Sequence, residues 1–212
     1  MKEKIVITGG EGDISLAIKK KFKSFNVLNP SHTELDVTNL FNVIEYFDDK
    51  KPNILINNAG YINPFNIIEG RGFDWIKHFE VNLIGTVYCS VYALKNGCKK
   101  IINIGSSASV EVKPGWAAYC ASKRAIVSFT ESLASEGYSA VCISPGRTKT
   151  KMRKKLYPDE GDEMLLSTKE FADAVYEIFK DFDEYIGANI VVKKEKQGAV
   201  IYIQDSGCLY VI

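Results

Sequence analysis

The sequence predicts one α/β domain in which a doubly wound parallel sheet carries helices on both faces. Short apolar runs rich in β-branched residues alternate with longer segments of helical period, as is typical of β-α-β units. The length of 212 residues is that of one domain, and 46% hydrophobic with 25% charged residues is the balance of a protein with an ordinary core. No internal repeat or low-complexity linker interrupts it, so residues 1–212 are assigned to one domain.

Four apolar runs are predicted as strands that are buried on both faces of the sheet. They are Ile5–Ile7, Ile54–Ile56, Ile101–Ile104 and Val141–Ile143. Further along the chain, Ile190–Val192 and Ala199–Ile203 flank the turn-like Lys193–Gly198. A terminal hairpin is expected there.

Helical periodicity predicts helices between these strands. One side of the first helix holds apolar residues spaced by four, four and three, namely Ile14, Ile18, Phe22 and Phe25. The second helix repeats the pattern with Leu40, Val43, Ile44 and Phe47 after Thr38, a predicted N-cap. Further helices are expected around Trp75–Leu94, Tyr119–Ser135 and Thr168–Phe182.

Composition argues against several other classes of protein. Lys plus Arg (27) against Asp plus Glu (26) leaves a net charge of +1, whereas a nucleic-acid-binding domain usually has a marked basic excess. No apolar stretch approaches the roughly 20 residues that span a bilayer. The apolar run Ile5–Ile7 is too short for a secretory signal. We therefore expect a cytoplasmic protein that binds neither nucleic acid nor membrane.

The cysteines suggest neither a disulfide framework nor a metal site. They are odd in number, widely scattered and without a C-x-x-C pair: Cys89, Cys98, Cys120, Cys142 and Cys208. Reduced, mostly buried thiols are the expected state, and no metal is expected.

A glycine-rich turn, Thr8–Ser15, joins the first predicted strand to the first helix. Glycines let the chain turn sharply and let a pyrophosphate approach the helix N-terminus, where free N–H groups and the helix dipole favour negative charge. Taken alone, such a turn fits dinucleotide binding and simple chain reversal equally well. The carboxylate of Asp13 is unfavourable beside a pyrophosphate unless it points away.

Asn57-Asn58-Ala59-Gly60 directly follows the predicted strand Ile54–Ile56. In a doubly wound sheet this position is the carboxyl edge, where ligands bind. Small residues there leave room for a flat ribose or adenine, and the asparagines can tie neighbouring strands together. Alone, the segment fits a plain strand-to-helix turn better.

Ser106, Tyr119 and Lys123 are the strongest candidates for catalysis. Tyr119 and Lys123 are four residues apart, so they lie on one face of a predicted helix. The pKa of a free tyrosine is near 10, whereas a nearby ammonium stabilises the phenolate and lowers that pKa towards the working range. Ser106, at a strand end, can hold the substrate oxygen. In isolation, Tyr-x-x-x-Lys is more often only the surface of an amphipathic helix.

Taken together, the motifs resemble the short-chain dehydrogenase/reductase family, whose domain is of the Rossmann type. In chain order they are Thr8-Gly9-x-x-Gly12, Asn57-Asn58-Ala59-Gly60, Val81-Asn82-Leu83-x-Gly85-Thr86, Ser106, Tyr119-x-x-x-Lys123 and Pro145-Gly146. The resemblance runs from residue 5 to about residue 192. Each motif is modest alone, but their joint occurrence by chance, in this order and at these spacings, is remote.

The resemblance implies roles for four catalytic residues. Tyr119 would be the general acid when a carbonyl is reduced and the base in the reverse direction. Lys123 would lower the pKa of Tyr119 and hydrogen-bond the nicotinamide ribose. Ser106 would orient and polarise the substrate oxygen, and Asn82 would hold a water that links Lys123 to solvent.

The resemblance also implies a set of cofactor-binding residues, with Tyr119 and Lys123 beside the nicotinamide. Gly9, Gly12 and Ile14 are implied for the pyrophosphate. Asn58, Ala59 and Gly60 are implied for the adenosine ribose, and Asp36 is implied for the adenine amino group. Those implied for the nicotinamide are Pro145, Gly146 and Thr148, with Thr150 near the carboxamide or the pyrophosphate. The hydride is the cofactor's chemistry, and the protein supplies position and charge.

The chain departs from the family between its second and third predicted strands. Only seven residues separate Leu28 from Asp36, whereas a parallel crossover takes a dozen or more. The third strand of the family and its preceding helix should therefore be shortened or missing.

Cofactor choice is normally set at the end of the second strand, here Asn29–His32. An acidic residue there would bind the 2′-hydroxyl of NAD, and an arginine would bind the 2′-phosphate of NADP. Neither is present. The missing carboxylate favours NADP, with Ser31 and His32 as candidate phosphate neighbours, whereas Glu11 in the glycine turn favours NAD, so both cofactors stay open.

The segment after Pro145-Gly146 is strongly basic, and residues from about 147 to 166 are expected to form a mobile surface segment. Six basic residues fall within nine positions: Arg147, Lys149, Lys151, Arg153, Lys154 and Lys155. Charge runs are usually solvated faces. In the family this segment covers the substrate, so the cluster is also a candidate for attracting a phosphorylated, carboxylated or nucleotide-linked substrate.

The sequence as a whole predicts an NAD(P)-dependent oxidoreductase that interconverts a secondary alcohol and a carbonyl on a small molecule. A non-catalytic NAD(P)-binding sensor on the same fold is one alternative. A nucleotide-sugar epimerase or reductase is another, although the absence of a large C-terminal substrate domain counts against it. By resemblance, a homodimer or homotetramer should form through the two long helices, around Trp75–Leu94 and Tyr119–Ser135.

Overall fold

The computed structural model describes residues 2–196, 198–205 and 208–211. The strands are β1 (Lys4–Ile7), β2 (Asn26–Leu28), β3 (Ile54–Asn57), β4 (Lys100–Ile104), β5 (Ala140–Pro145), β6 (Asn189–Glu195), β7 (Gly198–Asp205) and β8 (Cys208–Val211). The helices are α1 (Asp13–Lys21), α2 (Leu40–Lys50), α3 (Gly72–Phe79), α4 (Gly85–Lys95), α5 (Ala117–Ser135), α6 (Lys151–Leu156) and α7 (Thr168–Lys180).

These strands form one sheet in the order β2-β1-β3-β4-β5-β6-β7-β8. Strands β1 to β6 pair in parallel, while β7 and β8 are added in antiparallel pairing. The doubly wound parallel sheet is therefore confirmed, with two antiparallel strands at one edge. The hairpin is confirmed too, although its turn is tighter than Lys193–Gly198, because β6 continues to Glu195.

Alternate residues of each strand face opposite layers of helices. On one face, Ile5 and Ile7 of β1 pack in a cluster with Phe22 and with Phe171 of α7. On the other face, Val6 packs in a second cluster that takes buried residues from α2, α4 and α5. Both faces are thus covered, which explains why the strands are continuously apolar.

The segment that follows β2 lacks the further helix and strand of a full β-α-β unit. Between Leu28 and α2 the chain forms turns rather than a strand, and Leu35 and Val37 are buried beneath it. The expected loss of the third strand is confirmed. Its physical reason is length, because the segment is too short for a parallel crossover.

Two helix boundaries differ from the sequence prediction. The N-cap of α2 is Asn39, not Thr38: the Asn39 side chain accepts hydrogen bonds from the Phe41 and Asn42 N–H groups at 3.1 and 3.2 Å. Thr38 instead donates to Asp36. The helix expected around Trp75–Leu94 consists of α3 and α4, separated by a π-helical turn at Glu80–Ile84.

Helix α6 interrupts the segment around 147–166, which the sequence predicted only as a mobile surface segment. Thr150 caps this helix by accepting a hydrogen bond from the Arg153 N–H at 3.1 Å. Thr148 and Leu166 form a parallel bridge that joins the two ends of the segment. Its mobility stays a prediction.

Cys89, Cys98, Cys120 and Cys142 are free and buried, in line with the prediction of reduced thiols. The side chain of Cys208 lies outside the described part of the structure. Within the described ranges, none of the helices combines the length and the apolar character that crossing a membrane requires.

Candidate active site

The glycine turn lies where β1 runs into α1. Gly9 has a φ of +65°, and a Cβ there would lie 2.9 Å from the Cα of Ala59, so only glycine fits. Gly12 precedes α1 and offers no side-chain cap, which leaves the first N–H groups of the helix without a side-chain acceptor. This uncapped N-terminus is suited to a pyrophosphate, and Ile14 lies in its first turn.

Asp13 is the first residue of α1 and is joined to the start of α6. Its carboxylate accepts a hydrogen bond from the Lys151 N–H at 2.6 Å, at the start of α6. Ser15 turns inward instead, and its hydroxyl donates to the Gly9 and Gly12 carbonyls at 2.8 Å. Both polar side chains are therefore hydrogen-bonded within the protein.

The segment after β3 is fastened to the end of β1. The Thr8 hydroxyl accepts hydrogen bonds from the Asn58 and Ala59 N–H groups, both at 3.0 Å. The Asn58 side chain donates back to the Thr8 carbonyl at 3.0 Å. The Asn57 side chain donates to Asn103 on β4 at 2.9 Å. The predicted tie between neighbouring strands is thus present.

Ser106, Tyr119 and Lys123 meet at the carboxyl edge of β4. Ser106 follows that strand, and Tyr119 and Lys123 lie in the first two turns of α5. The Lys123 ammonium is 5.9 Å from the centre of the Tyr119 ring. It donates to the Ile104 carbonyl at 2.9 Å, and the residue is only 4% exposed. The arrangement therefore holds one buried cation beside one phenol.

Asn82 lies in the π-helical turn and is fully buried. Its side-chain N–H groups donate to the Tyr61 carbonyl at 3.0 Å and the Ser122 hydroxyl at 2.9 Å. Its carbonyl oxygen accepts from the Tyr61 N–H at 2.7 Å. A Cβ on Gly60 would lie 3.6 Å from that oxygen and 3.8 Å from the Lys123 ammonium. Asn82 and Lys123 thus border the same glycine.

The electrostatics of the pair differ from the prediction. Burial raises the pKa of Tyr119, and a hydrogen bond with the Ser106 side chain only partly opposes the rise. The predicted net lowering of the Tyr119 pKa is therefore not found in this structure. Burial also lowers the pKa of Lys123 to about 8. Desolvation is the largest cause of both shifts.

A cleft of about 110 Å³ opens in front of Tyr119. Seven of the predicted site residues line it: Ile14, Ser106, Tyr119, Pro145, Gly146, Thr148 and Thr150. Gly146 is held by a hydrogen bond from its N–H to the Val192 carbonyl at 2.8 Å. A Cβ on Gly146 would lie 3.2 Å from that carbonyl oxygen. The residues implied for the nicotinamide therefore adjoin those implied for catalysis.

Asp36 lies apart from this cleft, in the loop between β2 and α2. Its carboxylate accepts hydrogen bonds from the Thr38 hydroxyl and N–H at 2.7 and 3.0 Å. The same loop brings Glu34 to the end of β2, where Glu34 accepts hydrogen bonds from the N–H and hydroxyl of Ser31 at 2.8 and 2.9 Å. Sequence reasoning missed this carboxylate, because the turn that returns it to Ser31 has no separate signal.

Aromatic residues from three segments surround Tyr119. The Trp116 ring centre is 5.5 Å from that of Tyr119, and the Tyr157 ring centre is 6.3 Å from that of Trp116. The buried His78 ring is 6.5 Å from Tyr119 and accepts the Asn63 N–H at 3.1 Å through Nε2. Trp116 lies three residues before Tyr119 at the start of α5, whereas Tyr157 and His78 are distant in sequence and only the fold brings them here.

Among the described residues, no group of three or more His, Cys, Asp or Glu side chains is placed to hold a metal ion.

The fold and the site are those of a dinucleotide-binding protein. The sheet is mostly parallel, the uncapped N-terminus of α1 is suited to a pyrophosphate, and a tyrosine–lysine pair lies at the carboxyl edge. Residues 31–161 match the family model described as short chain dehydrogenase. The chain belongs to the short-chain dehydrogenase family.

Two similar sequences are 3-oxoacyl-[acyl-carrier-protein] reductases. That of Haemophilus influenzae is 32% identical over 177 residues, which cover 76% of this chain and 72% of the relative. That of Rickettsia felis is 33% identical over 156 residues, which cover 68% of this chain. In the second case the match spans only 64% of the relative's length.

Solved structures share the fold at lower sequence identity. "ElxO with NADP Bound" has a TM-score of 0.79 at 23% identity and covers 90% of this chain and 97% of that chain. "Crystal structure of a small-chain dehydrogenase in complex with NADPH" has a TM-score of 0.82 at 21% identity and covers 91% of this chain and 97% of that chain.

Proposed function

We propose that the protein is an NAD(P)-dependent oxidoreductase that interconverts a secondary alcohol and a carbonyl on a small molecule. The observation that carries the proposal is that Tyr119 lines the same cleft as Ser106 and the residues after β5, while the buried Lys123 ammonium lies 5.9 Å from the centre of the Tyr119 ring. Similar proteins carry reductase names, which supports the same reaction class.

A nicotinamide cofactor held in this site would supply the hydride that the carbonyl carbon takes up in the reducing direction. Tyr119 donates its phenolic proton to the carbonyl oxygen, and its raised pKa keeps that proton in place at neutral pH. Ser106 donates a hydrogen bond to the same oxygen and polarises it. The Lys123 ammonium stabilises the phenolate left behind, which then regains a proton.

Asn82 has a positioning role in this scheme. It binds the backbone of Tyr61 and the hydroxyl of Ser122, which lies on α5 between the tyrosine and the lysine. Asn82 thereby holds Tyr61, and with it the neighbouring Gly60, close to the Lys123 ammonium. A water held there would return the proton to Tyr119.

The proposed cofactor is NADP(H), held by Gly9, Gly12, Ile14, Asp36 and the segment Asn58–Gly60. The uncapped N-terminus of α1 suits its pyrophosphate. Two similar structures are named with NADP or NADPH bound, and one relative from Arabidopsis thaliana is named NADPH-dependent. The Glu34 carboxylate would repel the 2′-phosphate of NADP(H), so we expect a measurable affinity for NADH as well.

The proposal is tested by fluorescence titration of NADPH and NADH, followed by turnover on a panel of carbonyl compounds. We expect NADPH to bind and Tyr119→Phe to cut turnover by about 100-fold or more while changing the dissociation constant of NADPH by less than about threefold. Tyr138→Phe, on the surface, is the matched control and should keep full turnover. Failure of both nucleotides to bind contradicts the proposal, and binding without any turnover favours the sensor.

We also propose a cytoplasmic homodimer or homotetramer that associates through α3, α4 and α5. Phe73 and Ile76 of α3 are each 55% exposed, which is costly for large apolar side chains unless a partner covers them. Light scattering after size exclusion should give a mass of two or four chains, and Ile76→Lys should lower it. A monomeric wild type contradicts this assembly.

A further inference from the structure

The fold separates the basic residues that follow Pro145-Gly146. Arg147 and Arg153 line the cleft that also holds Tyr119 and Ser106. Lys149, Lys151 and Lys154 line a wider groove between α6, α1 and α7, which Arg153 also borders. The run of like charges is therefore not one solvated face, and part of it is directed towards the reaction site.

A third cation enters the cleft from another part of the chain. Lys113, in the loop between β4 and α5, lines the same cleft. Its ammonium is 4.8 Å from the ring centre of Trp116, whose ring is in turn 5.5 Å from that of Tyr119. Only one indole ring thus separates this ammonium from the phenol.

Arg153 is held in place by its neighbours. Its side chain is only 12% exposed, and its guanidinium lies 4.7 Å from the ring centre of Tyr157. It pairs with both oxygens of Glu160 at 2.5 and 2.6 Å. Arg147 contacts the same carboxylate at 3.6 Å and is 48% exposed. One carboxylate therefore serves two guanidinium groups.

The cluster formed by Lys113, Arg147 and Arg153 has a surplus of positive charge. Glu160 offsets one of the three charges, while Glu111 pairs with Lys193. Burial lowers the pKa of Lys113, and repulsion by Arg153 and Arg147 acts in the same direction, while Glu111 and Glu160 partly oppose the shift. Like charges in a partly buried cleft are unfavourable unless an anion neutralises them.

We propose that Lys113, Arg147 and Arg153 form an anion subsite for the substrate. The carbonyl compound that meets Tyr119 then bears a carboxylate or phosphate a few bonds from its carbonyl. Guanidinium forks and an ammonium match the oxygens of such groups, and Lys113 and Tyr119 both lie against the Trp116 ring. The inference rests on the proposed function, since it assigns the substrate side of the same cleft.

The test compares anionic and neutral probes on the complex of the protein with NADP⁺. Acetoacetate is matched with methyl acetoacetate, and 4-oxopentanoate with its methyl ester, by calorimetric titration. We expect the wild type to bind at least one anion about tenfold more tightly than its ester. Arg147→Gln and Lys113→Gln should each reduce that preference several-fold.

Lys155→Gln is the matched control, because Lys155 is exposed on α6 and carries the same charge. We expect it to keep the preference of the wild type, which separates a local subsite from a general effect of net charge. The dissociation constant of NADP⁺ should stay unchanged in Arg147→Gln and Lys113→Gln, which also reports that both variants are folded.

Three results overturn the subsite. The first is a wild type that shows no preference for either anion, including one that binds none of the four probes. The second is an equal loss in Lys155→Gln. The third is a weaker affinity of Arg147→Gln and Lys113→Gln for NADP⁺ with an unchanged preference for the anion over its ester. That result would assign the cations to the pyrophosphate of the cofactor. Binding of NADPH and reduction of neutral carbonyls by the wild type would still support the proposed function in each case.

Discussion

Replacing Lys123 by methionine should remove a specific dependence of stability on pH. Burial places the pKa of Lys123 at about 8, against 10.5 for an ordinary lysine. Between these two values the unfolded chain binds more protons than the folded one, so the free energy of unfolding of the wild type rises with pH. A difference of about 2.5 pKa units at about 1.4 kcal/mol per unit gives about 3 to 4 kcal/mol in full.

The assay is urea unfolding followed by circular dichroism, at intervals from pH 7 to pH 10.5, without cofactor. The stability of the wild type relative to Lys123→Met should increase by about 3 kcal/mol across this range. Lys155→Met, on the surface of α6, should follow the wild type in parallel. A constant difference between wild type and Lys123→Met, or one that falls with rising pH, would refute the reasoning that burial dominates at this ammonium.

Three further substitutions test other parts of the account. Glu34→Gln removes a carboxylate at the end of β2, so the dissociation constant of NADPH should fall about two- to fivefold with little change for NADH; Glu45→Gln is the control, and an equal effect there contradicts a local role. Gly9→Ala places a side chain at a φ of +65°, so thermal unfolding should show a loss of about 1–3 kcal/mol together with weaker NADPH binding. Unchanged NADPH binding in Gly9→Ala would contradict a role of this turn in holding the cofactor. Phe22→Ala empties a fully buried site and should cost about 3–5 kcal/mol in urea unfolding, whereas Phe41→Ala, 81% exposed, should cost under about 0.5 kcal/mol.

Periodicity was sufficient to predict most of the sheet and its helices, because the packing of an element repeats along its own sequence. Ile54–Ile56 is apolar throughout and is a buried strand; Phe22 and Ile18 lie one turn apart and face one core cluster. Features decided by single contacts were not predictable in this way. Both Thr38 and Asn39 can cap a helix, and only the geometry of the loop selects Asn39.

The candidate site was predicted in its positions but not in its electrostatics. The spacing of Tyr119 and Lys123 fixes their common helix face, and this was visible in the sequence. The raised pKa of Tyr119 depends on burial by residues distant in sequence. Glu34 and Lys113 were missed because the conformations of their loops, which bring them to the end of β2 and to the cleft, have no signal in the sequence.

The central claim is that a hydride passes from the cofactor to a carbonyl in the cleft beside Tyr119. It is tested most directly by incubating the protein with NADPH that carries deuterium at the transferable position of C4, and then weighing the alcohol product by mass spectrometry. The account predicts one deuterium per product molecule with the wild type and no product above background with Tyr119→Phe. Bound NADPH that yields no deuterated alcohol from any carbonyl, or equal yields from both proteins, would contradict it.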